Sequence, residues 1–253
     1  MLLPNKTAIV YGAGGAIGSA VSRAYAREGA RVFLAGRTTG SLDAVARMIR
    51  SAGGNAEIAA VDVLEPASVE AHTTSVAAAS GGIDIVFNAT SNDDVQGAAL
   101  IDMSLDDVMR PVMKAVAAHY TIATTVAEHM RARAAGAILV MAGGREAIPA
   151  LGGSHVAWSA LAGLCRQLAS ELGPSGIRVA CLLSPGSPDA PDSAASGHGP
   201  GRDNGIDPLP AAALLDRRPS LEDVANAAVF LSSDWARTMT ATEVNLTGGA
   251  VVD

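Results

Sequence analysis

Tyrosine, lysine and cysteine are scarce in this chain of 253 residues, which contains three tyrosines, two lysines and two cysteines. Apolar residues nevertheless make up 49% of the chain and charged residues 17%, which is typical of one well-cored globular domain and excludes a disordered chain. Cys165 and Cys181 lie inside apolar stretches with no neighbouring Cys/His cluster, so we expect two buried thiols and neither a disulfide framework nor a metal site. Such thiols are typical of a reducing compartment.

Basic charge and long apolar runs are also lacking. The net charge is −7 and the isoelectric point is near 5.2, so neither nucleic acid nor an anionic membrane is expected as a partner. No apolar run approaches the roughly 20 residues that a membrane span needs. The N-terminal segment leads directly into residues 7–11, which are typical of a strand and not of a signal peptide. We therefore expect a cytoplasmic protein.

Short apolar runs alternate with segments of helical periodicity along the whole chain. This β-α-β-α pattern predicts a single α/β domain over residues 1–253, with a seven-stranded parallel sheet and helices on both faces. Ser41 and Ser220 are predicted helix N-caps, the second in a capping box with Asp223. The predicted strands are 8–11, 31–35, 56–61, 83–88, 137–141, 178–183 and 243–246, and the predicted helices are 17–28, 41–52, 66–79, 104–133, 154–172 and 220–232, with Gly29, Gly53 and Gly173 as helix stops.

Residues 186–210 depart from the alternating pattern. Ten of these twenty-five residues are Gly or Pro, which predicts a loop. Loops of this length inside a compact domain are commonly lids or disordered segments. The segment follows the sixth predicted strand, at the edge of the sheet where open α/β folds bind ligands. We therefore interpret it as a substrate-side lid.

A glycine-rich turn follows the first predicted strand. Glycines in such a turn permit a tight bend and a close backbone approach, while the N–H groups and dipole of the following helix attract a pyrophosphate. Strand, turn, helix and second strand occur in the order of a dinucleotide-binding unit, which distinguishes this turn from an ordinary bend. The predicted phosphate-binding positions are Gly12, Gly14, Gly15, Ala16, Ile17 and Gly18.

The end of the second predicted strand indicates which dinucleotide is preferred. An acidic residue about 20 positions after the glycines binds the ribose of NAD, whereas an arginine accommodates the 2′-phosphate of NADP. Arg37 stands here, and residues 30–42 contain no Asp or Glu. The sequence therefore favours NADP(H) over NAD(H), with Arg37 as the phosphate ligand. An ordinary solvated loop arginine is the structural alternative.

Further landmarks follow in a fixed order. They are Asp62-Val63, Phe87-Asn88-Ala89-Thr90, Pro185-Gly186, and a closing segment made of 219–225, 230–234 and Gly248-Gly249. Together with the glycine turn they resemble the short-chain dehydrogenase/reductase family over essentially the whole chain, with Tyr11 and Ala16 replacing a usual Thr and Gly. The resemblance implies a Rossmann-like doubly wound fold and an oxidoreductase acting on a small-molecule substrate. It also implies nucleotide contacts from Asp62, Val63, Asn88, Ala89, Pro185 and Gly186.

Catalysis in that family relies on an Asn, a Ser, a Tyr and a Lys. The resemblance places these positions on Val112, Gly143, Ser154 and Trp158, so all four are replaced. The family's Y-x-x-x-K spacing occurs nowhere, because no lysine follows any tyrosine by four residues among Tyr11, Tyr25, Tyr120, Lys6 and Lys114. The usual proton donor is therefore absent, and loss of a positioned acid costs roughly 10²–10⁴ in rate.

Several groups near these positions are candidates to replace the missing acid. Ser154 is a poorer acid than tyrosine, and His155, a residue type that often acts as a general acid, is rotated by about 100° from Ser154 on a helix. These two are the candidate catalytic residues. Trp158 either packs in the core or stacks on a ligand. The remaining candidates are Arg145 and Glu146 after the fifth strand, and Asp189 and His198 on the predicted lid.

These features favour an NADP(H)-dependent oxidoreductase with a non-standard active site, in which water or a substrate group supplies the proton. Two alternatives remain open. One is a catalytically inactive paralogue that binds a nucleotide or a partner chain, or no cofactor at all; the other is a non-redox lyase or cyclase on the same fold. The resemblance also implies a homodimer or homotetramer paired through the helices at 104–133 and 154–172. Small residues on the second helix would permit close contact there: Ala157, Ala160, Ala162 and Gly163.

Overall fold

The computed structural model describes residues 1–184, 214–215, 217 and 219–251. Its centre is a seven-stranded sheet in which every neighbouring pair of strands is parallel. The strand order is β3-β2-β1-β4-β5-β6-β7, so the predicted seven-stranded parallel sheet is confirmed. The strands are β1 (Thr7–Tyr11), β2 (Arg31–Gly36), β3 (Asn55–Ala60), β4 (Ile85–Asn88), β5 (Gly136–Ala142), β6 (Ile177–Leu183) and β7 (Thr242–Asn245).

Six α-helices in the described part of the chain connect these strands. Ser220 caps the last of them in the predicted capping box with Asp223. The predicted cap at Ser41 is wrong: Thr38, with extended backbone, is the N-cap residue, and Ser41 lies in the first turn, where its hydroxyl donates to the Thr38 carbonyl at 2.9 Å. The helices are α1 (Ala16–Arg27), α2 (Thr39–Ser51), α3 (Pro66–Ser80), α4 (Leu105–Arg131), α5 (Ser154–Leu172) and α6 (Leu221–Ser232).

The helices cover both faces of the sheet, as the sequence predicted. Alternate side chains of each strand point to opposite faces, so Ile9 packs with α3, α4 and α5 while Val10 packs with α1, α2 and α6. The expected buried thiols are confirmed: Cys165 and Cys181 are free and buried. Gly29 and Gly53 follow α1 and α2 with positive φ angles of 94° and 82°, which glycine adopts without strain.

The strand order reverses between β1 and β4, because the chain first winds outward to β3 and then crosses back. At such a switch point the loops at the carboxyl ends of the strands diverge and leave a crevice. The predicted lid at 186–210 lies outside the described residues. No helix of the described part is long and apolar enough to cross a membrane.

Candidate dinucleotide site and neighbouring catalytic positions

A cavity of about 250 Å³ opens at this switch point, between the loops that follow the first four strands. Seven of the predicted nucleotide contacts line it: Gly12, Gly14, Gly15, Arg37, Asp62, Val63 and Ala89. The cavity is completed by residues that were not predicted as nucleotide contacts: Gly36, Thr38, Ser41, Leu42, Val61, Leu64, Thr90, Ser91 and Lys114.

The glycine turn forms one wall of the cavity, and its shape requires glycine. Gly12 has a φ of +78°, and a Cβ there would lie 2.4 Å from the Ala89 carbonyl oxygen. A Cβ on Gly18 would lie 2.2 Å from the Gly12 carbonyl oxygen. Helix α1 then begins without any side-chain hydrogen bond at its N-cap, Gly15. The N–H groups of its first turn are therefore available to an anion, which fits a pyrophosphate.

The opposite end of the cavity suits the adenosine half of a dinucleotide. Arg37 and Thr38 lie at the N-terminus of α2, whose first turn contains no acidic residue. Among the described residues, Arg37 forms no hydrogen bond or salt bridge. The Asp62 carboxylate accepts the Leu64 N–H through Oδ1 at 3.0 Å, which leaves Oδ2 available for a nucleobase amino group.

The other predicted nucleotide residues occupy different places. Asn88 is buried below the cavity, where its Oδ1 accepts the Thr90 N–H at 3.1 Å and the Thr90 hydroxyl at 2.8 Å. It therefore shapes the loop after β4 and does not line the cavity. Ala16, Ile17 and Gly18 form the first turn of α1 behind the glycine wall. Pro185 and Gly186 lie outside the described residues.

The four positions that the sequence resemblance matched to the family's catalytic side chains lie on α4, after β5 and on α5, and none of them lines this crevice. Val112 is half-buried on α4, and Gly143 follows β5 directly. Ser154 begins α5 and Trp158 lies one turn further along it. The Trp158 ring covers Gly143, because a Cβ on Gly143 would lie 2.4 Å from Cζ2 of the indole. Trp158 also packs against the core between the sheet and α5, so its indole is a packing group here.

Ser154 is engaged with the loop that follows β4. Its buried hydroxyl donates to Oδ2 of Asp94 at 2.6 Å and accepts from Nε2 of Gln96 at 3.1 Å. Gln96 also donates to the same Asp94 oxygen at 2.6 Å. The serine proton is therefore committed to a carboxylate, and the three side chains form a closed polar network. No sequence pattern indicates this contact, because the two residues are 60 positions apart.

The other candidate acids point elsewhere. His155 donates from Nε2 to the Arg145 carbonyl at 2.7 Å, on the side of α5 that faces the loop after β5. Arg145 itself binds the nearly buried Glu243 carboxylate at 3.0 Å, together with Arg166. The structure therefore does not bring Ser154, His155 and Arg145 into one cluster. Glu146 is exposed, and Asp189 and His198 lie outside the described residues.

No tyrosine lines the crevice in the part of the chain that the structure describes. The Tyr11 hydroxyl lies 3.3 Å from Nδ1 of His72, and the Tyr25 hydroxyl lies 2.8 Å from the Ser232 hydroxyl. Burial raises the pKa of both phenols well above the usual value. Tyr120 is 55% exposed on the outer side of α4.

A parallel doubly wound sheet with a glycine turn at its switch point defines a dinucleotide-binding α/β protein. Comparison with known proteins identifies the family. Residues 12–251 match the family model described as enoyl-(acyl carrier protein) reductase. D-threitol dehydrogenase of Mycolicibacterium smegmatis is 30% identical over 254 residues, which cover 99% of this chain and 94% of that relative. The 3-oxoacyl-[acyl-carrier-protein] reductase FabG of Chlamydia trachomatis is 28% identical over 251 residues, or 98% of each chain.

The fold comparison agrees. The crystal structure of NAD⁺-bound xylitol dehydrogenase superposes with a TM-score of 0.85 at 22% identity, over 98% of this chain and all of that one. The chain belongs to the short-chain dehydrogenase/reductase family of oxidoreductases. Members of this family bind nicotinamide dinucleotides, act on small-molecule substrates and often form oligomers.

Proposed function

We propose that this protein is an NADP(H)-preferring oxidoreductase that lacks the family's tyrosine–lysine proton donor. The proposal rests chiefly on the crevice at the switch point. There, the glycine turn, which requires glycine at position 12, lines the same cavity as an exposed Arg37 at the N-terminus of α2. A 2′-phosphate at this end would meet a guanidinium, a helix N-terminus and no carboxylate on the second strand.

The crevice residues would bind the dinucleotide, and the residues matched to the catalytic positions have other contacts. The α1 N-terminus and the glycine wall would hold the pyrophosphate, Arg37 and Thr38 the 2′-phosphate, and Asp62 the adenine. When bound, the reduced nicotinamide supplies a hydride. At the positions matched to the catalytic residues, the Trp158 ring fills the space above Gly143, and the Ser154 hydroxyl donates its hydrogen bond to Asp94. The proton for a reduced substrate therefore comes from water or from the substrate itself, and positioning provides the catalysis.

Nucleotide binding is tested by adding NADPH to the intact protein and following the melting temperature and tryptophan fluorescence. Ligand that binds only the folded state raises the melting temperature. Neither tryptophan lines the crevice, but Trp158 packs over Gly143 at the end of β5, whereas Trp235 is 76% exposed. The fluorescence change should therefore persist in Trp235→Phe. No change in either signal would reject the proposal.

A non-catalytic nucleotide-binding paralogue is the second candidate. It is favoured by two contacts, Trp158 over Gly143 and Ser154 on Asp94, because neither of them directs an acidic proton at a substrate. NADPH oxidation measured with a broad set of ketones, aldehydes, quinones and activated alkenes separates the two functions. Turnover of any member supports the oxidoreductase, and binding without turnover favours the paralogue.

We also propose that two or four copies associate through α4 and α5, in the cytoplasm. Helix α4 exposes a series of apolar side chains that no part of the described chain covers: Leu105, Met109, Met113 and Tyr120. Burying such a patch against a second copy would stabilise a dimer. Sedimentation analysis of the wild type and of Met113→Glu tests this, because a charge in the interface should dissociate the dimer.

A further inference from the structure

One of the two lysines of the chain lies at the dinucleotide crevice, a position that no sequence motif predicted. Lys114 projects from α4 to the dinucleotide crevice, and its side chain is only 12% exposed. It forms a salt bridge with Asp93, on the loop after β4. Asp93 is held from its other side by Ser91, whose hydroxyl donates to Oδ1 at 3.4 Å and accepts the Asp93 N–H at 3.2 Å.

The Asp93 carboxylate interacts electrostatically with two cations of the crevice. The hydrogen bond from Lys114 is the main cause that lowers the pKa of Asp93, and the charge of Arg37 lowers it further. Arg37, in contrast, forms no hydrogen bond or salt bridge with any described residue. The Asp93 carboxylate, which interacts with Arg37, is thus already paired with Lys114.

An unpaired carboxylate near Arg37 would have two effects on a phosphorylated ribose. It would repel the phosphate directly, and it would attract the guanidinium that should bind the phosphate. An acidic group at the adenosine ribose is also the feature by which this fold selects NAD over NADP. Pairing of Asp93 with a cation therefore bears on which dinucleotide the crevice accepts.

On the basis of the NADP(H) binding proposed above, we propose that Lys114 is a specificity-determining residue. It holds the Asp93 carboxylate so that Arg37 stays available to the 2′-phosphate. Lys114 acts through Asp93 and is a positioning residue: it does not bind the phosphate itself. This role predicts that the effects of Lys114 and Asp93 on NADPH affinity are coupled. A substitution of Lys114 should change the Kd for NADPH only while Asp93 carries its charge.

The test is a double-mutant cycle read by calorimetric titration with NADPH and with NADH at low ionic strength. Lys114→Met should raise the Kd for NADPH about tenfold, because it leaves the Asp93 carboxylate as one unpaired negative charge near the phosphate. The Kd for NADH should change less than about twofold. In the Asp93→Asn background the same substitution should leave the Kd for NADPH within about twofold. Lys114→Arg, which keeps the charge, should retain the wild-type preference.

The controls separate this role from general effects. Lys6→Met removes the only other lysine, which lies 4.0 Å from Asp234 outside the crevice, and should leave both Kd values unchanged. Lys114→Gln serves as a second variant if Lys114→Met does not fold. An equal loss of NADPH affinity with and without the Asp93 charge would overturn the role, since it would show direct phosphate contact. An unchanged Kd in Lys114→Met, with wild type binding NADPH, rejects the role alone; failure of wild type to bind NADPH rejects the proposed function and the role together.

Discussion

The indole of Trp158 occupies the space that a side chain at position 143 would fill. A Cβ built on Gly143 lies within 2.5 Å of three indole atoms, Cζ2, Cε2 and Cη2. The sequence resemblance matched both residues to catalytic positions of the family, and in the structure the residue at one position depends on the residue at the other. The small residue at 143 makes room for the large one at 158.

This dependence predicts non-additive stabilities. Gly143→Ser alone should lower the free energy of unfolding by about 1–3 kcal/mol, because the new side chain overlaps a ring held by the core. In the Trp158→Lys background the same change should cost less than about 0.5 kcal/mol, since the flexible lysine leaves the space open. Urea unfolding of the two single variants and the double variant measures the coupling. Equal costs in both backgrounds would contradict the packing described here.

Restoring three family side chains together should create or raise reductase activity. The triple variant Gly143→Ser, Ser154→Tyr and Trp158→Lys supplies a positioned acid, which contributes roughly 10²–10⁴ in rate. NADPH oxidation with a ketone panel measures the gain, and circular dichroism verifies the fold. A folded triple variant that still binds NADPH but gains no activity would mean that the substrate pocket has diverged as well.

The Ser154 network should stabilise the loop after β4. Ser154→Ala removes the hydroxyl that donates to Asp94, so we expect a loss of about 1–3 kcal/mol in the free energy of unfolding, the range for a hydrogen bond to a charged group. Ser170→Ala, on the exposed side of the same helix, is the matched control and should change stability by less than about 0.5 kcal/mol. If both variants are equally stable, the network contributes nothing to folding.

Arg37 should discriminate between the two dinucleotides. Arg37→Ala removes the exposed guanidinium at the N-terminus of α2, so the Kd for NADPH should rise about 10- to 100-fold while the Kd for NADH changes little. Fluorescence titration with both nucleotides measures the difference. Arg23→Ala, on the exposed side of α1 and outside the crevice, controls for loss of positive charge. A similar loss of affinity for NADH and NADPH would show that Arg37 does not bind the 2′-phosphate.

Much of the fold could be predicted because each element carries its own local signal. Strands buried on both faces of a parallel sheet are continuous apolar runs, and such a run predicted each of β1 to β7 within two residues at either end. The error at Ser41 has a local cause: three polar residues close together, Thr38, Thr39 and Ser41, can each cap a helix, and the apolar periodicity does not choose between them.

The candidate site was predictable at the glycine turn and at the residues that directly follow the strands, such as Arg37 and Asp62. The glycine turn that forms one wall of the cavity can be recognised from the spacing of its glycines in the sequence. Contacts between distant side chains cannot: Ser154 meets Asp94, and Lys114 meets Asp93, only because the loop after β4 folds against α4 and α5. Lys114 did carry one signal, its rarity, but nothing in the sequence shows how far its side chain reaches into the crevice.

The most direct test of this account is a calorimetric titration of the wild-type protein with NADPH and, separately, with NADH. The crevice predicts one nucleotide bound per chain, with NADPH at least about tenfold tighter than NADH because only NADPH carries the phosphate that Arg37 can bind. Equal or tighter binding of NADH, or no binding of either nucleotide, would contradict it.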